Sequence, residues 1–394
     1  MNEVIRTLER KEVVTQTELQ DTVPIVFDSV HALLLEWVTG IGKGRAIMCA
    51  CEHMEKVLFV VEKLNQIQNF KNDCEKHGFS YDQYTFTHYN SLKKYVGIQY
   101  DCVVLNEADS ISDNARNVLS TLSFHKLLLA AAMFPLPKKI EFWNDVCKFQ
   151  TWKVNLAQAN KWGILPEPKV YLHLVEPSNN SYSTFTVTKS KNYKEVIVYT
   201  YDQFVENRGR NLNITCNVND NEALKIINDL VTYYRDEANE KGWGTKTKLS
   251  YAGLQTMLYG SMRKKILGKI KFQKIHELSL SLQGRKIIFV NDLEAVNGIT
   301  IYSKNGKKIN EENLRMFNEN EVNELYAIKM VNRDMNLVDT KIALVGDIGN
   351  NPVELVQRIG RALRHHDPEI HIVCVKDEKD HKLFMKQVKK YTIA

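Results

Sequence analysis

Three stretches of this chain carry side chains suited to handling a polyphosphate. The first is Thr39-Gly40-Ile41-Gly42-Lys43-Gly44-Arg45, directly after an apolar run. Glycines at alternate positions let the backbone wrap an anion, and a following helix aims its N-terminus at it. Lys43 supplies a charge for β- and γ-phosphates. Thr39, Gly40, Gly42, Lys43, Gly44 and Arg45 are therefore candidate nucleotide-binding residues. Alone, the stretch is equally a glycine turn before a helix. A loop of this kind usually places Ser or Thr after the lysine, whose hydroxyl binds Mg²⁺; Gly44 has none.

The second stretch is Gln357-Arg358-Ile359-Gly360-Arg361-Ala362-Leu363-Arg364. Wound at 3.6 residues per turn, it sets Gln357, Arg361 and Arg364 on one face. Leu355, Val356, Ile359, Ala362 and Leu363 fall opposite, a face able to pack on a sheet. Gly360, between the two, permits close approach of another backbone. Two guanidinium forks held this way suit phosphate oxygens. The competing reading is a surface helix with solvated arginines. The third stretch is the apolar strand Tyr100–Leu105, which ends in Asn106-Glu107-Ala108-Asp109. Polar groups at a strand end are expected where a sheet opens into a ligand crevice.

A different chemistry is suggested between Met262 and Lys274, with six basic residues and no acidic one. Arg263, Lys264, Lys265 and Lys269 form the basic face of an amphipathic helix, suited to a nucleic-acid backbone. A solvated face is the alternative.

These groups need elements to hold them. Apolar strands are expected at 33–37, 56–63, 85–92 (with a short helix), 100–105 and 126–135, and again at 169–175, 285–292 (with a turn), 298–303, 341–345 and 371–375, with helical stretches between them. Residues 222–239 have helical apolar spacing. Residues 135–169, punctuated by four prolines, lead from a first domain to a second. Residues 178–217 are polar and β-prone, an inserted hairpin or small sheet. Trp143, Trp152 and Trp162 fall near the boundary, where packing competes with base stacking. With 394 residues, 44% hydrophobic and 25% charged, the chain is too long for one ordinary core and suits two domains. No apolar run reaches the ~20 residues of a membrane span. The opening residues lack a signal-peptide core. Seven scattered cysteines fit reduced thiols in a cytoplasmic compartment. A net charge of +6 permits an anionic partner without demanding one.

Taken in order, the stretches resemble the motifs of superfamily 2 helicases. Q-R-x-G-R-x-x-R at 357–364 matches motif six, and the loop at 39–45 matches motif one in the G-K-G-R form of the strawberry-notch branch. Asn106-Glu107-Ala108-Asp109 is similar to the D-E-A-D of motif two. Segments 56–63 and 85–92 resemble those around motif Ia, 126–135 occupies the place of motif three, and 285–292 and 327–337 resemble motifs four and five. The resemblance implies an α/β protein of two tandem RecA-like P-loop domains with mostly parallel sheets, residues 1–165 and 166–394, the second carrying a small β-rich insertion. It implies ATP and Mg²⁺ as cofactors, and ATP hydrolysis driving a helicase or translocase on nucleic acid, DNA in preference to RNA, with no membrane partner. Glu107 would activate water, and Gln357, Arg361 and Arg364 would complete the site from the other domain. Asn106 would hold the metal weakly, through water, where the family has Asp. Gly44, Asn106 and the run Ala130–Ala132, which replaces the motif-three hydroxyls, leave open a nucleic-acid scaffold with weak or no hydrolysis. A motor subunit of a larger complex is a third reading. The compact length suggests a bacterial or phage protein.

Overall fold

The computed structural model describes residues 3–132, 147–187, 192–245, 248–291, 296, 298–328, 337, 339–348, 360 and 365–387. Three short helices, α1 (Glu3–Arg10), α2 (Gln16–Asp21) and α3 (Val23–Asp28), precede β1 (Ala32–Trp37). Then follow α4 (Lys43–Cys51), β2 (Val57–Val61), α5 (Asn65–His77), β3 (Tyr84–His88), a 3₁₀ turn at Tyr89–Tyr95 and β4 (Gln99–Asn106). α6 (Asp113–Leu119), β5 (Ser123–Ala131), β6 (Gln150–Val154) and α7 (Leu156–Lys161) complete this half. The six strands form one parallel sheet in the order β3-β2-β4-β5-β1-β6. Helices cover both faces of such a sheet, so its central strands read as unbroken apolar runs. β1 and β2 are buried at every position.

β6 is an addition to the sequence reading. It pairs with β1 at the sheet edge, and its Trp152 meets Trp37 edge-on at 5.2 Å. Trp162 is also buried, its indole N–H donating to the Lys11 carbonyl at 3.3 Å. These two tryptophans therefore pack the first domain and are not surfaces for bases. Trp143 lies outside the described residues.

The second half begins with β7 (Lys169–Val175). An excursion follows: β8 (Tyr182–Val187), β9 (Lys194–Val198), α8 (Tyr201–Arg208), β10 (Leu212–Asn219), α9 (Asp220–Lys241) and the 31-residue α10 (Tyr251–Ser281). The chain then returns through β11 (Lys286–Phe289), β12 (Thr300–Ile301), α11 (Gly306–Asn318), β13 (Glu324–Ala327), β14 (Ile342–Val345), β15 (Glu369–Val375) and α12 (Lys379–Gln387). The second sheet, also parallel, runs β12-β13-β11-β14-β15-β7.

The excursion is larger than the 178–217 insertion expected. β10 lies between β8, antiparallel, and β9, parallel. One face of this small sheet packs Phe185, Val198, Ile214 and Val218 against Leu224 and Ile227 of α9 and Tyr259 and Ile266 of α10. The apolar stripe of α9 thus builds a lobe with its own core. Side-chain caps from Asn219 and Ser250 start α9 and α10, as oxygen-bearing N-caps do. Further along α10, Ile275 and Leu278 join Ile288, Leu344 and Val373 under the second sheet. One continuous helix, roughly 45 Å long at 1.5 Å per residue, therefore belongs to both cores.

All seven cysteines are free thiols. Among the described residues, no helix is long and apolar enough to cross a membrane, and no His/Cys/Asp/Glu cluster could hold a metal ion.

Candidate functional site: the loop after β1 and its surroundings

The buried strand β1 ends at Trp37, and the loop that follows turns on two glycines in the left-handed region, Gly40 (φ 105°) and Gly42 (φ 75°). Gly42 caps α4, so the first amides of that helix open at the loop. The Lys43 ammonium donates to the Trp37 carbonyl at 2.9 Å. The lysine is thus folded back over its own loop.

The loop is braced from a direction that no motif announced. Gln20, buried on α2, donates its side-chain amide to the carbonyls of Ile41 (3.0 Å) and Gly42 (3.1 Å). Arg45 donates back to the Gln20 amide oxygen at 2.9 Å and pairs with Asp21 at 2.7 Å. A Cβ on Gly42 would stand 2.1 Å from Gln20 Nε2 and 2.7 Å from Gln16 Nε2, and one on Gly40 3.1 Å from Leu165. In sequence, Gln16 and Gln20 are one turn of polar helix; only the packing of α2 on α4 gives them this role.

Asn106 and Glu107 leave the same end of the sheet. β5 separates β4 from β1, with Ala130 in register with both Asn106 and Leu35. Two strand spacings put β4 and β1 roughly 10 Å apart. The Tyr89 hydroxyl holds the Asn106 carbonyl at 2.9 Å. Glu107 has φ 55°, a left-handed conformation that costs about 1–3 kcal/mol in a residue with a side chain. The Ser110 amide (2.9 Å) and hydroxyl (2.8 Å) hold its carbonyl. Strain kept by surrounding hydrogen bonds is characteristic of functional sites. Ala130 and Ala131 are fully buried here and carry no hydroxyl.

From the second half of the chain, Gly360 reaches the loop. A Cβ on it would lie 2.8 Å from Thr39 Cβ and 3.2 Å from Thr39 Cγ2. Gln357, Arg361 and Arg364 lie outside the described residues, as does most of the segment 327–337.

The basic residues of α10 sit elsewhere, at the junction of the lobe and the second sheet, and the structure divides them. Lys269 meets Asp220 at 3.0 Å and the Tyr182 carbonyl at 2.5 Å, stapling the lobe together. Lys271 is buried against Asp380 at 2.8 Å. Arg263 donates to Asn228 at 3.2 Å. Lys264 and Lys265 are exposed. Beside Lys265, a cavity of about 470 Å³ opens between β8, α10 and the ends of β11 and β14; it belongs to the lobe junction and not to the loop after β1.

Residues 270–366 match the family model of the Helicase conserved C-terminal domain. The fold is similar to that of S. cerevisiae Dbp5 bound to RNA and ADP BeF3, with a TM-score of 0.53 at 11% identity over 99% of this chain and 90% of that one. A singly substituted Dbp5 in the same bound state gives 0.54 at the same identity and coverage. The Pyrococcus furiosus Hef helicase domain gives 0.48 at 12% identity over 93% and 97%. No curated protein matches the sequence. By fold the chain is two RecA-like domains in tandem, similar to those of the Dbp5 structures. The residues that match the helicase C-terminal model lie in the second of them.

Proposed function

We propose that this protein is an ATP-dependent nucleic-acid helicase or translocase, with residues 1–165 and 166–394 as its two motor domains and ATP hydrolysed between them. The observation that carries this reading is the contact of Gly360 with Thr39. Gly360 is covalently joined to Arg361, and this adjacency supports the reading that the motif-six arginines work at the loop after β1.

Phosphoryl transfer to water is catalysed mainly by positioning and charge stabilisation. Thr39, Gly40, Gly42, Gly44 and Arg45 shape the loop around the phosphates, and Lys43 leaves the Trp37 carbonyl to neutralise them. Glu107 orients and deprotonates the attacking water. Gln357, Arg361 and Arg364 stabilise the charge that develops on the transferred group, an effect typically worth ~10³–10⁵ in rate. Attraction between these arginines and ATP closes the domains. Loss of the γ-phosphate releases them, and the alternation moves a strand gripped on the far side of the cleft.

The chain's residues fit a triphosphate better than they fit its metal ion. The amide oxygen of Asn106 is the donor in the carboxylate's place, and Gly44 offers no hydroxyl. Mg²⁺, when bound, would supply charge neutralisation to the phosphates, held through Asn106, water and the phosphates themselves. This poor donor set favours a second reading, a helicase-fold clamp that binds nucleic acid and hydrolyses ATP slowly or not at all.

We take DNA as the substrate, whereas the Dbp5 structures contain RNA; matched single strands of each, in competition, decide between them. The central test is Mg²⁺-dependent ATP hydrolysis with and without nucleic acid, for the wild type, Lys43→Ala and Glu107→Gln. Stimulated hydrolysis lost in both variants is the expected result. Hydrolysis indifferent to both substitutions refutes the motor reading, and nucleic-acid binding without hydrolysis selects the clamp.

A further inference from the structure

Where the lobe meets the second sheet, cations from three helices converge. Arg263 and Lys264 of α10 and Lys379 of α12 line one narrow crevice, with Asn291, after β11, and Asp347, after β14, at its base. Arg235 of α9 stands close enough to act on both Arg263 and Lys379. The crevice has an interior of only about 30 Å³, enough for the edge of an anion and too small for a nucleotide.

The acidic groups around it are largely engaged. Asp380 holds Lys271 at 2.8 Å. Glu378 accepts from the Asn228 amide at 3.2 Å, and Asn291, with its amide turned, donates to Asp347 at 2.6 Å. Asp236 lies 3.6 Å from Arg235 on the exposed side. Burial, then Arg263, Lys264 and Arg235, hold the Lys379 ammonium below its ordinary value. Burial also lowers Arg263, with Glu378 opposing and Arg235 adding to the effect. Glu378 and Asp347, which meet neutral amides, offset part of this positive charge, and an added anion would offset more.

We infer that this crevice binds the phosphate backbone of a nucleic acid, with Arg235, Arg263, Lys264 and Lys379 neutralising neighbouring phosphates and the inserted lobe extending the strand's path. The inference rests on the nucleic-acid reading above and adds a site to it. The crevice lies off the C-terminal ends of β11 and β14, where open parallel sheets receive ligands. Arginine forks suit phosphate oxygens bidentately, and Lys264 is exposed at the rim. Lys269 and Lys271, already matched by Asp220 and Asp380, take no part.

The test is the binding of a labelled single-stranded oligonucleotide to the full chain over a salt series. Each phosphate contact on a single strand contributes ~0.7 to the slope of log K against log salt, so Lys264→Gln with Lys379→Gln should flatten it by about 1.4. Lys376→Gln, at an exposed cation paired with Glu176, should leave it unchanged. The double variant should also melt no earlier than the wild type at low salt, because a repulsion is removed. Lys264→Gln alone, at its exposed position, should flatten the slope by about half as much and serves if the double variant is unstable. Wild-type binding with an unchanged slope in these variants overturns the crevice and spares the motor reading. Absence of wild-type binding overturns both. Polyglutamate binding that exceeds oligonucleotide binding, and that the same variants abolish, assigns the crevice to an acidic protein and overturns the inference.

Discussion

Gly360 and Thr39 pack so closely that the hydrogen on the glycine Cα fills the only space available: a Cβ there would stand 2.8 Å from the Thr39 Cβ. Real Cβ atoms do not approach so near, so a side chain at 360 would have to push its backbone away from Thr39. Gly360→Ala should leave each domain folded, with a Tm near wild type, and lower nucleic-acid-stimulated ATP hydrolysis at least tenfold, a barrier of about 1.4 kcal/mol. Hydrolysis at the wild-type rate would mean that this contact does not belong to the working state.

The metal donors can be restored on the existing frame. Gly44 has an ordinary φ, and a Cβ on it meets only Asp73 Oδ2, at 3.8 Å, so Gly44→Thr should be accommodated. Combined with Asn106→Asp, it supplies the hydroxyl and the carboxylate that such sites usually offer. The Mg²⁺ concentration giving half-maximal hydrolysis should fall, and the maximal rate should rise. A midpoint that does not move would show that these positions do not face the ion.

Gln20 acts through the loop. Gln20→Ala removes both donors to the Ile41 and Gly42 carbonyls and the acceptor for Arg45. Loss of such buried hydrogen bonds costs about 1–3 kcal/mol. On the proposed reading, in which the loop holds ATP before and during reaction, the loss should appear mainly as a raised KM for ATP. A changed kcat with an unchanged KM would contradict this role.

The buried Lys271–Asp380 pair locks the long helix α10 to α12. Lys271→Met strands a buried carboxylate, which costs about 3–5 kcal/mol. Replacing both, Lys271→Met with Asp380→Asn, should recover part of the loss. Denaturant unfolding measures it, and a double variant less stable than the single would exclude the pairing as the cause.

On the second sheet, His173 and His371 hydrogen-bond to each other at 3.1 Å, with Tyr171 stacked on His371 at 4.6 Å. Burial lowers the pKa of both, with Glu369 opposing the shift at His371. Both imidazoles are then neutral in the fold while the unfolded chain protonates near pH ~6.5. Below that pH the unfolded state binds more protons, so stability declines as pH falls and is full above it. Tm should stay level above about pH 7 and drop below about pH 6.5, and His371→Gln should flatten that drop. An identical pH profile in the variant would place the sensitivity elsewhere.

Much of this architecture was legible in the order of the residues. Parallel strands buried on both faces leave continuous apolar runs, so β1, β2, β4 and β15 could be read close to their ends. Glycines at 40 and 42 could be read as a loop because left-handed backbone is cheap only for glycine. The strand β6 could not, since an edge strand with Gln150 and Lys153 carries no apolar run. Nor could the extent of the lobe: the stripe of α9 is the same whether it meets a large sheet or a small one.

The residue sequence by itself determined which groups were available: a lysine and glycines after a buried strand, a glutamate after another, and arginines flanking a glycine near the end. Local backbone preference and apolar period suffice for that, because they depend on neighbours along the chain. Only the tertiary structure decided that Gln20 braces the loop, that Lys269 and Lys271 are taken by Asp220 and Asp380, and that Gly360 rests on Thr39. Those are contacts between distant segments, and their partners are chosen by how whole elements pack.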